Sequence, residues 1–304
     1  MKYGAFINPS LSYEEIRKYA LRVEDLGFDS IHTPDHFVAN NKRDTHWEAM
    51  TLMTALAVET SKIKIGHIIL SNSFRHPALL AKMICTLDHI SNGRALLWFG
   101  GGWKKSEYIQ YGYPFPKAGV RVSQMEEALT IIKKMFTEEK TSFEGRFWTL
   151  KRNFNYPKPI QKPYPQIVLG TITGKRVTDI ACREADGLNF QYNVKIADIP
   201  HRVSVIKENL KKYNRDLSDF EISILYPIML VESQEELDEM KNNFPTIYSV
   251  DMVFTGFPED LKEKFAQLED LGVKKIITMA LIGPDYEDPL KHQDRLELFA
   301  KKVM

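Results

Sequence analysis

Cysteine is nearly absent: Cys85 and Cys182 are the only two in 304 residues. They lie far apart, each inside a helix-like segment, which argues for two core thiols rather than a disulfide. An excess of one charge is missing as well. Lys and Arg total 41 against 40 for Asp and Glu, a balance of +1. Nothing in that balance asks for nucleic acid or a membrane surface. No uncharged apolar run is long enough to span a bilayer. The first residues, MKYGAFINPS, run directly into a strand-like pattern without the layout of a signal peptide. Metal-binding patterns are missing too. There is no His-x-His or His-Glu-x-x-His, and the eight histidines are scattered, so no metal site is expected. No low-complexity linker divides the chain. The expectation is a cytoplasmic, globular protein forming one domain over residues 1–304. Its 43% hydrophobic content is enough for a large core.

What is present is alternation. Strand-like segments fall at 3–8, 30–33, 63–70, 95–100, 166–170, 187–191, 221–231 and 275–281. Between most of them lie amphipathic stretches of helical period, at 13–26, 47–60, 78–90, 122–136, 175–184, 196–213 and 259–271. A last helix, 289–303, follows. Strands that alternate with helices pair in parallel, because a parallel pair needs a crossover. Eight strands at this length predict an α/β fold, a (β/α)8 TIM barrel. The stretch EDLG occurs at 24–27 and again at 269–272, each time before a strand, and READG at 183–187 is a looser third copy. Each reads as a helix end, with Gly27 or Gly272 in the left-handed capping position. Asp88 and Arg94, at the opposite end of the strands, are expected to pair. About 65 residues separate the fourth strand from the fifth. This insertion, about 103–165, holds a long helix and the Pro-rich NYPKPIQKPYP, far more than a crossover requires. The segment 242–256 is left unassigned.

In such a barrel the carboxyl ends of the strands form the active face. The second strand ends in TPDHF, 33–37. Asp35 and His36 are there either a turn-capping acid and a surface imidazole, or a pair presented to a ligand. A histidine at that place would hydrogen-bond a cofactor carbonyl or exchange a proton near neutral pH. The third strand end supplies Ser71, Asn72, Ser73, Phe74, Arg75 and His76. The fourth supplies Gly100, Gly101, Gly102 and Trp103, followed by Ser106 and Glu107. Glycine there lets the backbone approach a flat ligand, and Trp103 is either a wall for an aromatic ring or core beneath the insertion. The fifth gives Gly170, Thr171, Thr173, Gly174 and Lys175 at a helix start, where free N–H groups, hydroxyls and a lysine suit a phosphate.

The stretches GFDSIHTPDHF, WEAMTLMTALAVETSKIKIG, SFRHPALLAKMICTLDHISNGRA, GGGWKKSEYIQYGYPFP and FEGRFWTL, with ADGLN, together resemble the bacterial luciferase-like superfamily of flavin- and deazaflavin-dependent oxidoreductases. The chain is most similar to its coenzyme F420-dependent members. The resemblance is dense over residues 1–195 and looser beyond. It implies a flat ring system at the barrel mouth, with Asp35 near its pyrimidine edge and His36 near the reacting centre. Ser71, Gly101, Gly102 and Ser106 would line the ring and its side chain, and Thr171, Gly174 and Lys175 would hold the phosphate. A non-prolyl cis peptide is implied at Ile68–Ile69, behind the ring. Some relatives carry a glutamate proton donor directly after the glycines. Trp103 stands at that position here, and Glu107 is one helical turn away. The resemblance implies a homodimer and hydride transfer between coenzyme F420 and a small organic substrate. An FMN-dependent monooxygenase using oxygen is the alternative, and a non-catalytic ligand-binding barrel is the alternative of another class.

Overall fold

The apolar segments are strands in the computed structural model of the protein, which describes residues 1–39, 44–171, 174–242, 249–282 and 291–304. In chain order the elements begin β1 (Lys2–Phe6), α1 (Tyr13–Asp25), β2 (Ser30–Thr33), α2 (Ala49–Glu59), β3 (Lys64–His67), β4 (Leu70–Ser71), α3 (Pro77–Ile90) and β5 (Leu97–Gly100). The insertion holds α4 (Lys105–Gln110), α5 (Ala118–Thr137) and a hairpin, β6 (Thr141–Glu144) and β7 (Thr149–Asn153). Then come β8 (Ile167–Thr171), α6 (Lys175–Glu184), β9 (Gly187–Gln191), α7 (Ile199–Lys212) and β10 (Glu221–Leu230). The chain continues with α8 (Gln234–Asn242), β11 (Phe254–Gly256), α9 (Pro258–Leu271), β12 (Val273–Ile282) and α10 (Lys291–Lys302). The main sheet runs β3-β2-β1-β12-β10-β9-β8-β5-β4, with β11 paired to β10. This strand order, with helices between parallel strands, is that of a (β/α)8 barrel. β3 and β4 form one stave, interrupted where the Ile68–Ile69 peptide is cis.

The chain divides into two compact units. The first comprises Met1–Phe6, Leu21–Ile31 and Gly170–Met304. In its sheet β10 lies between β9 and β12, so all ten of its residues are buried. A strand covered on both sides reads as a continuous apolar run, not an alternating one. Pro227 sits inside this central strand, where it cannot donate to the ladder. The register with β12 shifts at Tyr226/Pro227, which accommodates it. Gly27 (φ 84°) and Gly272 (φ 111°) both take the left-handed conformation read from EDLG. The third copy ends differently: α6 stops on an extended Ala185, and Gly187 is already the first residue of β9.

The second unit comprises Ile7–Ala20 and His32–Leu169. Its core includes Trp98, Phe99, Leu56, Ile84, Met125 and Ile132, all essentially without exposure. Cys85 and Cys182 are free and buried, one in each unit. The expected Asp88–Arg94 pair does not form. Arg94 donates instead to the carbonyls of Ala57, Thr60, Ile63 and Ser91. Its N–H groups thus serve the C-terminal end of α2 at Ala57 and Thr60, the loop after it at Ile63 and the C-cap of α3 at Ser91. Asp88 accepts from the backbone and side chain of Gln161. Sequence periodicity missed α4 and the β6–β7 hairpin because both are short and their exposed faces carry mixed polarity. Among the described residues no helix is long and apolar enough to cross a membrane.

Candidate active site

β2 ends at Thr33, and Pro34 prevents the chain from continuing in the ladder. The next two side chains point to different tasks. Asp35 is buried, and its carboxylate accepts from the backbone N–H of Ser71 at 2.8 Å and from both terminal nitrogens of Arg75 at 2.7 and 2.9 Å. Arg75 also bonds Glu48. Glu48 in turn caps α2 by accepting from Met50 N and Thr51 N. Asp35 thus ties the ends of β2 and β4 to the turn before α3, and Glu48 joins the start of α2 to the same arginine. Burial works to lower the Arg75 guanidinium, and the bonds from Asp35 and Glu48 overcome it, so the group is held above its ordinary value. Burial likewise opposes the Glu48 charge, but bonds from Thr51 and Arg75 leave it below the usual carboxylate range. His67, fully buried beside this cluster, is pushed down to about 4 by burial and stays neutral.

His36 makes a second group. Its Nδ1 lies 2.9 Å from Glu107 Oε2, and the Lys104 ammonium lies 2.8 Å from the other oxygen. Burial works to raise the Glu107 carboxyl, but hydrogen bonds from His36 and Lys104 outweigh it and hold it below its ordinary value. An ionised carboxylate only accepts, so His36 Nδ1 carries the ring proton. Nε2 is then left as an acceptor. No described residue bonds Nε2, and a quarter of the side chain is exposed. Trp103 stands edge-on to this ring, 5.7 Å between centroids, and is 62% exposed, so it is not core beneath the insertion. His46 approaches from another side at 6.4 Å, and burial holds it below its ordinary value, with the nearby His36 adding to the effect.

The glycines at the end of β5 have separate reasons. Gly102 has φ 71°, and a Cβ there would fall 1.8 Å from the Tyr108 hydroxyl and 2.6 Å from Ser71 Oγ, two groups bonded to each other at 2.9 Å. Its glycine is required by the protein's own packing. A Cβ on Gly101 would meet nothing closer than 3.9 Å. No neighbour excludes a side chain there. Ile68 is buried and donates its N–H to Thr33 O, Ile69 is half-buried, and Ser106 is exposed on α4. His32 is buried between Gly66, where a Cβ would come within 2.7 Å of the imidazole, and Trp98, 4.5 Å away ring to ring. It fills space as an aromatic would.

In the other unit, Gly170 and Thr171 close β8, and Thr171 Oγ1 accepts from Gly174 N at 2.9 Å. Gly174 precedes α6, no side chain among the described residues caps that helix, and Lys175 opens it exposed. Thr173 lies outside the described residues. Sequence reasoning missed Lys104, Glu48 and Tyr108. The three-residue spacing of Lys104 and Glu107, and an acid just before the apolar run of α2, were signals for the first two. Among the described residues, no group of three His, Cys, Asp or Glu is placed to hold a metal ion.

Residues 1–278 match the family of luciferase-like monooxygenases. The chain belongs to that family. It is 30% identical over 176 residues to an F420-dependent glucose-6-phosphate dehydrogenase of Amycolatopsis mediterranei (strain U-32), covering 57% of this chain and 52% of the relative. It is 32% identical over 170 residues to an FMNH(2)-dependent dimethylsulfone monooxygenase of Pseudomonas putida, covering 56% and 46%. The chain thus spans about half the length of these curated relatives. A solved structure, the coenzyme F420-dependent tetrahydromethanopterin reductase from Methanopyrus kandleri, is similar over 99% of this chain and 98% of its own, with a TM-score of 0.80 at 21% identity. The fold of this luciferase-like chain is therefore the (β/α)8 barrel expected, and its relatives include both F420-dependent and FMN-dependent enzymes.

Proposed function

We propose that this luciferase-like protein is a two-electron oxidoreductase that uses coenzyme F420 and acts on a small organic substrate. The observation that carries the reading is the His36–Glu107 pair: an imidazole with its proton on one nitrogen and the other nitrogen unbonded among the described residues, beside an exposed tryptophan. When bound, the deazaflavin would supply a hydride acceptor or donor at one face of its ring. The chain's own part is orientation and the proton. In the oxidising direction His36 Nε2 takes the proton of a substrate hydroxyl, and the Glu107 carboxylate stabilises the imidazolium that results. In the reducing direction the imidazolium returns a proton to the substrate. Trp103 would cover the site and exclude water. Asp35, bound to Arg75 and Ser71, is a positioning residue in this reading. Thr171, Gly174 and Lys175 are the proposed phosphate holders.

The presence of an FMNH(2)-dependent monooxygenase among the relatives favours a second reading, in which reduced FMN and oxygen take the place of the deazaflavin. Titration of the protein with F420 and with FMN, followed by ligand fluorescence, separates the two. Tight F420 binding with weak FMN binding supports hydride transfer. The reverse, with oxygen uptake in the presence of reduced FMN, moves the chain to the monooxygenases. Binding of neither removes both. With the cofactor known, His36→Ala should lower kcat by about 10²–10⁴-fold and leave cofactor affinity intact. Unchanged turnover would end the role given to His36. A homodimer and a cytoplasmic location belong to the same proposal, and light scattering showing a monomer would remove the first.

A further inference from the structure

The six residues of α4 make a helix too short to be stable by itself. Its side chains instead grip the loop that follows β2. Residues 34–39 lie outside any strand or helix, so their carbonyls have no ladder to satisfy them. Lys104, the N-cap of α4, donates from Nζ to Val38 O at 3.1 Å. Tyr111, its C-cap, donates from the hydroxyl to Phe37 O at 3.4 Å. Glu107, between them, accepts from His36 Nδ1 at 2.9 Å. Successive loop residues, His36, Phe37 and Val38, thus each meet a side chain of α4. Positions 104, 107 and 111 are spaced by three and four, which places them on one face of a helix.

The Phe37 ring closes the arrangement. Tyr111 stacks on it, 4.3 Å between centroids and 24° between planes, and Phe74 lies 4.3 Å away at 37°. Tyr113 stands nearly parallel to it at 5.9 Å, and donates its own hydroxyl to Phe74 O at 3.2 Å. Phe37 cannot turn without displacing one of these rings, and His36 precedes it directly in the chain. Tyr111 is 53% exposed. It adds little to the core, so its removal tests the contact rather than the fold.

We infer that Tyr111 and Lys104 are positioning residues for His36: through Phe37 and Val38 they fix the loop so that the imidazole meets Glu107 by Nδ1 and keeps Nε2 for the substrate. The inference deepens the proposed function and rests on its assignment of His36 as the proton carrier. A carboxylate accepts from either imidazole nitrogen, so the pair alone does not choose between them. Nδ1 lies closer to the main chain than Nε2. Which of the two reaches Glu107 is therefore set by how the loop stands relative to α4. Lys104 adds a second restraint, because it holds the other oxygen of Glu107 at 2.8 Å and keeps the carboxylate from turning away.

The test is the tautomer of His36, read from the imidazole nitrogens in the NMR spectrum of the full chain carrying ¹⁵N-histidine, at about pH 9, well above the ordinary histidine range. No cofactor or substrate is added, and His36→Ala identifies the signal by its loss. Wild-type His36 should carry its proton on Nδ1. Tyr111→Ala should move the tautomer ratio toward Nε2–H by about three- to tenfold, the range of one aromatic contact. Tyr111→Phe keeps the stack and gives up only the long hydrogen bond, so it should restore most of the ratio. Lys104→Met should move the ratio in the same direction as Tyr111→Ala, and stands in for it if that variant fails to fold. Ile109→Ala, at a position 64% exposed on the same helix, should match the wild type. A ratio unchanged in Tyr111→Ala or in Lys104→Met would overturn the inference. An equal shift in Ile109→Ala would overturn it too, because any loosening of α4 would then suffice. The spectrum is taken without cofactor, so a failure to bind F420 does not alter it, and an unchanged ratio leaves the titration with F420 and FMN untouched.

Discussion

Asp35→Asn keeps the shape of the side chain and removes its charge. In the wild type the carboxylate accepts three hydrogen bonds, from Ser71 N and from two nitrogens of Arg75. The Asp35 side chain is 2% exposed and that of Arg75 is 8%. An asparagine has only one oxygen to offer, and in either orientation its NH₂ would face the Arg75 guanidinium, donor against donor, and in one of them the Ser71 N–H as well. Breaking a buried pair by altering one partner costs about 3–5 kcal/mol. Glu48 still faces Arg75, with a side chain 40% exposed, so the low end applies, about 3 kcal/mol. At ~2–4 °C per kcal/mol for a domain of this order of size, the melting temperature should fall by roughly 6–12 °C. Thermal unfolding followed by circular dichroism measures that fall, and cofactor titration well below the transition measures binding. The clamp predicts a large loss of stability with cofactor affinity largely retained. A melting temperature within about 2 °C of the wild type, together with lost cofactor binding, would refute the reasoning and make Asp35 a ligand contact.

Gly102→Ala should be destabilising by about 2–4 kcal/mol, from the left-handed backbone and from overpacking against Tyr108 and Ser71. Adding Tyr108→Phe, which removes the hydroxyl 1.8 Å from the new Cβ, should recover part of the loss in urea unfolding; no recovery would disprove the clash. Glu107 is held below its ordinary value of 4.5, so its contribution is complete above that pH and is lost as the pH falls through the lower folded value. Melting temperatures of Glu107→Gln should therefore vary less with pH on the acid side than those of the wild type, and parallel curves would contradict the ion pair. Arg94→Met should cost several kcal/mol, because it removes the donor to the carbonyls of Ala57 and Thr60 at the end of α2; a fall in melting temperature with unchanged cofactor binding is the expected pair of readings.

Much of the architecture was legible in the residues. The 30–33 and 187–191 strands and the 175–184 helix have the expected bounds, because each is bracketed by strong local signals: Gly27 before the first, an apolar run in the second, the amphipathic period in the helix. Short elements were not legible. The six residues of α4 hold less than two turns of period, and β6 and β7 are stabilised chiefly by each other. At the site, the residue types at strand ends were visible, but not their division of labour. Asp35 and His36 are neighbours in sequence, yet they answer to partners 40 and 71 residues away, Arg75 and Glu107.

By itself the sequence determined the alternation of strand and helix, the parallel pairing that follows from it, and the set of polar and glycine residues at the strand ends. Those depend on local periodicity and backbone preference, which a chain carries along its length. Only the tertiary structure decided that Asp35 clamps Arg75 and Ser71 and that His36 pairs with Glu107 through Nδ1. It also decided that Gly102 serves packing against Tyr108 and Ser71. These are properties of pairs far apart in the chain, and their energies depend on burial and on which donor meets which acceptor, quantities that exist only once the strands are side by side.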